Sequence, residues 1–251
     1  MKASNKIMFV AAFITVAYLM IYDLGLKAEY DKGVFRKRFY NMVPLTFNGF
    51  NSIQHNAGNI VGLQVEKGPY GVWVDKELKD KISITQHGQV LQINYIEKDG
   101  HYNNGYGTPV IVSCPDAEAV IVSPFAMNTN ESNGYLRKKG KSMLIDYFPH
   151  GVTTITGFNQ SAMAIQANRY TEIVLNNNTL AQLTATIGDK THGEAGLTIE
   201  TNNNINSAGF DIPGKSSLTL DNVLIGHIAY KSIDSAQVTL AGKASHLLDR
   251  Q

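Results

Sequence analysis

From Leu45 onward, apolar residues fall on every second position, and that period decides what the chain can become. The segments LTFNGFNSI, GLQVE, GVWVD, ISITQ, VLQINY, VIVSC and AVIVS put pairs such as Leu63/Val65, Val72/Val74, Ile82/Ile84 and Leu91/Ile93 on one side of an extended backbone. Successive side chains of a strand point to opposite faces, so this alternation predicts half-buried strands. The pattern returns after Val152 in MAIQA, TEIVL, QLTATI, GLTIE, AGFDI, SLTLD, IGHIAY and AQVTL, separated by polar pieces too short to hold crossover helices. His87-Gly88 reads as a hairpin turn between two strands, because glycine accepts positive φ, and His87 as a turn residue rather than a ligand. Residues 101–107, HYNNGYG, and 124–141 lack the alternation and read as loops or a protruding hairpin.

Apolar positions after Val152 also recur at long range. Met163 to Leu183 is 20 residues, Leu175 to Leu197 is 22, Leu197 to Leu218 is 21 and Leu218 to Val238 is 20. A broader echo relates VLNNNTLAQL (174–183) to TLDNVLIGHI (219–228). Repeats of this size signal stacked structural units, and they predict an all-β chain wound as a parallel β-solenoid over residues 44–251. Asparagine suits the bends of such a chain, since it visits the left-handed region and its amide bonds locally. Asn176 to Asn178, Asn202 to Asn204 and Asn222 are the candidates. A Greek-key sandwich fits the same strand spacing and stays open as the alternative.

The N-terminus obeys a different rule. Ile7 to Tyr22, IMFVAAFITVAYLMIY, carries no charge. Continued to Leu26 it reaches about 20 residues, the length that crosses the hydrocarbon core as a helix. A cleaved signal peptide needs a small-x-small site, and LMIYDLGLKAEY offers a poor one. Residues 1–26 are therefore expected to be an uncleaved signal-anchor helix. Residues 27–43 form a juxtamembrane linker or cap with Tyr30, Val34, Phe35 and Phe39 available to cover the end of a stack. Basic residues are more numerous after the span (Lys27, Lys32, Arg36, Lys37, Arg38) than before it (Lys2, Lys6), which argues for a cytoplasmic C-terminal side. Long domains translocate largely regardless of charge, and an extracytoplasmic β domain in the periplasm or at the cell surface is the reading adopted.

Charge excludes one class of partner. The formal net charge is +1, with no arginine-rich stripe to follow a phosphate backbone, so no nucleic-acid role is expected. The single cysteine, Cys114, rules out an internal disulfide and reads as a small buried hydrophobe. GDKTHGEAG gathers Asp189, Lys190, His192 and Glu194 in one glycine-flanked stretch, but nothing in that spacing forces metal ligands or a catalytic pair to converge. No nucleophile elbow, phosphate loop or dinucleotide fingerprint occurs, and neither cofactor nor catalytic residue is expected. His101, Tyr102 and Tyr106 are the candidate ligand-binding residues, as aromatic groups on a loop that a rigid scaffold holds out. Tyr135, Lys138 and Lys139 form a lesser candidate.

The stretch from Leu45 to Phe125 resembles the putative auto-transporter adhesin head GIN domain family. LTFNGFNSIQH is similar to its entry strand, and GLQVEKGPYGVWVD, KISITQHGQVLQINY and TPVIVSCPDAEAVIVS follow its layout; the Ser/Thr-Gly-Ser-Gly turns common in its later part are replaced here by TGFNQS, NNNT and TNNNINS. The resemblance implies a right-handed parallel β-helix in an exported envelope protein. The expected function is a non-catalytic, membrane-anchored structural or adhesion-type binding module, its partner an envelope glycan or surface polymer. The competing expectations are a carbohydrate-active lyase or hydrolase using Asp189 or Glu194, and an assembly or sensor subunit acting through its membrane helix.

Overall fold

The computed structural model describes residues 3–33, 38–96, 109–125, 151–190, 194–233 and 235–250. The chain divides into two units, Met1–Met42 and Val43–Gln251.

The first unit is built on one helix, α1 (Ala3–Lys32), of 30 residues. At 1.5 Å per residue it is about 45 Å long, and a stretch of 18 residues within it has a mean hydropathy of 2.1, so the helix is long and apolar enough to cross a membrane. A signal sequence meets the same test. Its apolar side chains are exposed, Phe13 by 76%. The helix runs past Leu26 and stops at Gly33, whose φ of +61° lets its N–H turn back to the Tyr30 carbonyl at 3.0 Å.

The regular structure of the second unit is nearly all strand among the described residues. Its first half holds β1 (Met42–Leu45), β2 (Ser52–His55), β3 (Leu63–Lys67), β4 (Gly71–Asp75), β5 (Ile82–His87), β6 (Val90–Tyr95), β7 (Val110–Cys114) and β8 (Ala119–Val122). Its second half holds β9 (Val152–Thr156), β10 (Asn159–Ala167), β11 (Glu172–Asn176), β12 (Thr179–Ile187), β13 (Gly196–Ile199), β14 (Asn204–Ile212), β15 (Ser217–Asp221), β16 (Leu224–Ser232) and β17 (Gln237–Ala241), followed by a 3-10 helix (Gly242–Arg250).

These strands form two mixed sheets, and this corrects the expected fold class. One sheet runs β1-β4-β7-β3-β9-β11-β13-β15-β17, the other β16-β14-β12-β10-β8-β2-β6-β5. A right-handed parallel β-helix, or β-solenoid, pairs each strand in parallel with its counterparts alone. Here β4 lies antiparallel to β7 and β5 antiparallel to β6, while β3 sits between β7 and β9, out of chain order. The β5–β6 reversal is local in origin: Gly88 takes φ +60° in a turn two residues long, and the chain returns on itself.

Beyond β8 all pairs are parallel. Met163 pairs with Leu183, Leu197 with Leu218, and Leu218 with Val238, as the spacing suggests. The expected match of Leu175 to Leu197 is off by two residues, since Ile173 pairs with Leu197 and Leu175 with Ile199. Inward side chains of both sheets share one core. Thr153, Ile173, Leu197 and Leu218 make one buried row, and Ile155, Leu175, Ile199 and Leu220 the next. Phe50, fully buried, meets the ring of Tyr70 edge-on at 5.1 Å.

The asparagine clusters are built parts of this unit. Asn177, Asn202 and Asn222 take φ of +57°, +73° and +51°, the left-handed geometry asparagine tolerates. Behind two of them lie the buried Asn178 and Asn203. Asn178 accepts from the Phe158 N–H at 3.0 Å and donates to the Ile155 and Asn176 carbonyls. Its own N–H donates to Asn203 Oδ1 at 3.0 Å, and Asn203 donates to the carbonyls of Leu175 and Glu200. The two amides thus saturate the backbone groups that the bends would otherwise leave unpaired inside the core.

Candidate functional site

The sequence-derived ligand candidates His101, Tyr102 and Tyr106 lie outside the described residues, as do Tyr135, Lys138, Lys139 and His192. Of the remaining acidic stretch, Glu194 is exposed and ion-paired with Lys215 of the segment before β15, and Asp189 is half-buried beside Gly214. No cluster of three metal-ligating side chains occurs among the described residues. Cys114 is fully buried in β7; burial, with the negative charge of Asp116 adding to it, pushes the thiol pKa up to about 12. A thiol so placed is not a nucleophile. His87 stands exposed at the hairpin turn.

A recess lined wholly by described residues, several of them polar, lies across β10, β12 and β14. These nine-residue strands share an irregularity. The fifth, seventh and ninth residues of each are buried, but neither the third nor the fourth is: Ser161, Ala162, Ala181, Gln182 and Asn206 are exposed and Ser207 is half-buried. The register pairs residues on either side and passes over Ser161, Ala181 and Asn206. Alternation therefore slips by one, the strands bend, and an open groove of about 380 Å³ runs along the bend.

Two rows of side chains line it. Asn159, Thr179 and Asn204 are aligned partners on adjacent strands, and Ser161, Ala181 and Asn206 follow two residues on. Gln160 closes the β10 side, its amide fastened to both backbone groups of Ala117 at 2.7 and 3.1 Å. On the next strand Gly226 takes the place of a side chain: a Cβ there would lie 2.6 Å from the Asn206 carbonyl oxygen. The amides of Asn159, Asn204 and Asn206 and the hydroxyls of Ser161 and Thr179 have no hydrogen-bond partner among the described residues. The lining is uncharged. β10 and β12 contain no ionisable side chain and β14 contains one, Asp211, away from the groove. Lys67 reaches the β10 end, where its ammonium donates to the Asn159 carbonyl at 3.1 Å.

Sequence reasoning missed this groove by trimming β10 and β12 to MAIQA and QLTATI. The signal was present. NQSAMAIQA, TLAQLTATI and NINSAGFDI align over nine positions, and all three carry the same slip at the third and fourth.

No family model matches the chain, and no curated protein matches it. Solved structures do. A "putative adhesin" from Parabacteroides distasonis superposes with a TM-score of 0.53 at 15% identity, covering 79% of this chain and 71% of that one. The two share a fold. A "putative adhesin" from Bacteroides fragilis gives 0.46 at 12% identity, covering 80% and 92%. A "Putative lipid binding protein" from Parabacteroides distasonis gives 0.31 at 13% identity, covering 80% and 94%.

Proposed function

We propose that this chain is a non-catalytic binding module of the adhesion type, held at the membrane by α1 with its β unit outside the cytoplasm. The observation that carries the reading is the groove: an uncharged surface on which the amides of Asn159, Asn204 and Asn206 and the hydroxyls of Ser161 and Thr179 have no hydrogen-bond partner among the described residues. Such groups are ready to exchange water for a ligand. The apolar helix supports the placement, and the shared fold with a protein named as an adhesin agrees with it. Glu194, the acid a lyase or hydrolase reading would use, is engaged by Lys215. Full-length protein in nanodiscs, incubated with polysaccharide prepared from the envelope of its native host, is expected to retain polymer saturably and leave its chain length unchanged. Shortening of the polymer that disappears in Asp189→Asn or Glu194→Gln would make the protein an enzyme, and retention no greater than by empty nanodiscs would remove the binding role.

A further inference from the structure

The lining of the groove and its spacing say more about the ligand than that it is bound. Three adjacent parallel strands present Asn159, Thr179 and Asn204 in one row and Ser161, Ala181 and Asn206 in a second. The rows step by the strand spacing, about 4.8 Å, so polar groups recur at even intervals across the strands. Each amide offers two donors and an acceptor, and each hydroxyl offers both functions. A ring of sugar hydroxyls demands that mixture at every step; an ionic polymer demands fixed countercharge, and the lining has none. A peptide adding as a strand needs an open edge, whereas β10, β12 and β14 are each paired on both sides.

We infer that the groove binds a neutral oligosaccharide in extended form, laid across β10, β12 and β14 so that successive sugars meet successive strands. This rests on the binding-module reading and specifies its ligand class and orientation. Asn204 and Asn206 form the main contact on β14, since both amides come from one strand and have no hydrogen-bond partner among the described residues. Ala181 and Gly226 keep the floor low. Leu224, the next residue in the first row and 59% exposed, supplies an apolar surface for a sugar face at the far end.

Full-length protein in nanodiscs is titrated with cellohexaose, chitohexaose and the corresponding disaccharides, with heparin hexasaccharide and an uncharged hexapeptide as contrasts. One neutral hexasaccharide is expected to bind saturably and at least about tenfold more tightly than its disaccharide, because the shorter chain spans too few strands. Its affinity should change less than about twofold between about 0.05 and 0.5 M salt, since screening acts only on charge. Asn204→Ala and Asn206→Ala are each expected to weaken it by about fivefold or more without moving the thermal midpoint, and Ala181→Trp to abolish it. Binding of neither hexasaccharide, or binding that the Asn204→Ala/Asn206→Ala double variant leaves intact, would overturn the inference. Preference for heparin with a steep salt dependence, or for the hexapeptide, would overturn it too. Retention of envelope polymer that survives the double variant would discard the groove as its site while leaving the binding-module reading in place.

Discussion

Asn178 and Asn203 carry more of the fold than their polarity suggests. Each closes several backbone hydrogen bonds from a buried position, and a buried donor or acceptor left open costs about 1–3 kcal/mol. Asn178→Ala is therefore expected to lower the unfolding free energy by about 2–4 kcal/mol, read from chemical denaturation. Asn177→Gly, one residue earlier at φ +57°, should be neutral or slightly stabilising. Equal losses in the two variants would contradict the account. His55 is a second buried polar residue with a different consequence. Its Nδ1 meets Thr153 Oγ1 at 3.2 Å across the two sheets, its Nε2 has no partner among the described residues, and burial lowers its pKa to about 3. The unfolded state binds this proton below about pH 6.5 and the folded state only near pH 3, so the linkage predicts stability falling as pH drops through that window, by up to about 1.4 kcal/mol per pH unit. The double variant His55→Leu/Thr153→Val should flatten the profile; an unchanged acid slope would show that other groups set it.

At the scale of elements, strand periodicity was legible and strand partnership was not. Alternation located β3 to β8 and β10 to β17 because most of these strands bury alternate residues, although β7 is buried along its whole length and β17 has no buried residue, and the turn at Gly88 followed from φ tolerance. β9, VTTIT, escaped attention because its buried positions are Thr153 and Ile155, so half of its inward face is a hydroxyl residue. The mixed pairing of β4 and β7 was invisible, since an antiparallel and a parallel neighbour demand the same alternation. The ends of the sheets follow a rule of their own. Val238 on the edge strand β17 is 44% exposed, while Leu218, its partner on β15, is buried. Leu218→Ala is expected to cost about 2–5 kcal/mol and Val238→Ala less than about 1 kcal/mol, measured by the same denaturation. Similar costs would mean that β17 is as well covered as the interior.

For the whole molecule, the proposal turns on α1 holding the chain at a membrane and on which side the β unit then occupies. The basic residues after α1 favour one side and the length of the following unit permits the other. The proposed binding of an envelope polymer requires the β unit to lie outside the cytoplasm. Native Cys114 leaves the surface free of reactive thiol among the described residues, because it is buried with a raised pKa. A single introduced cysteine therefore reports alone. The direct test places Ala181→Cys, at the groove, in the full chain and exposes intact spheroplasts to a membrane-impermeant maleimide. The account predicts labelling of Ala181→Cys before lysis and none of the parent protein; labelling that appears only after the membrane is opened would put the β unit in the cytoplasm and contradict it.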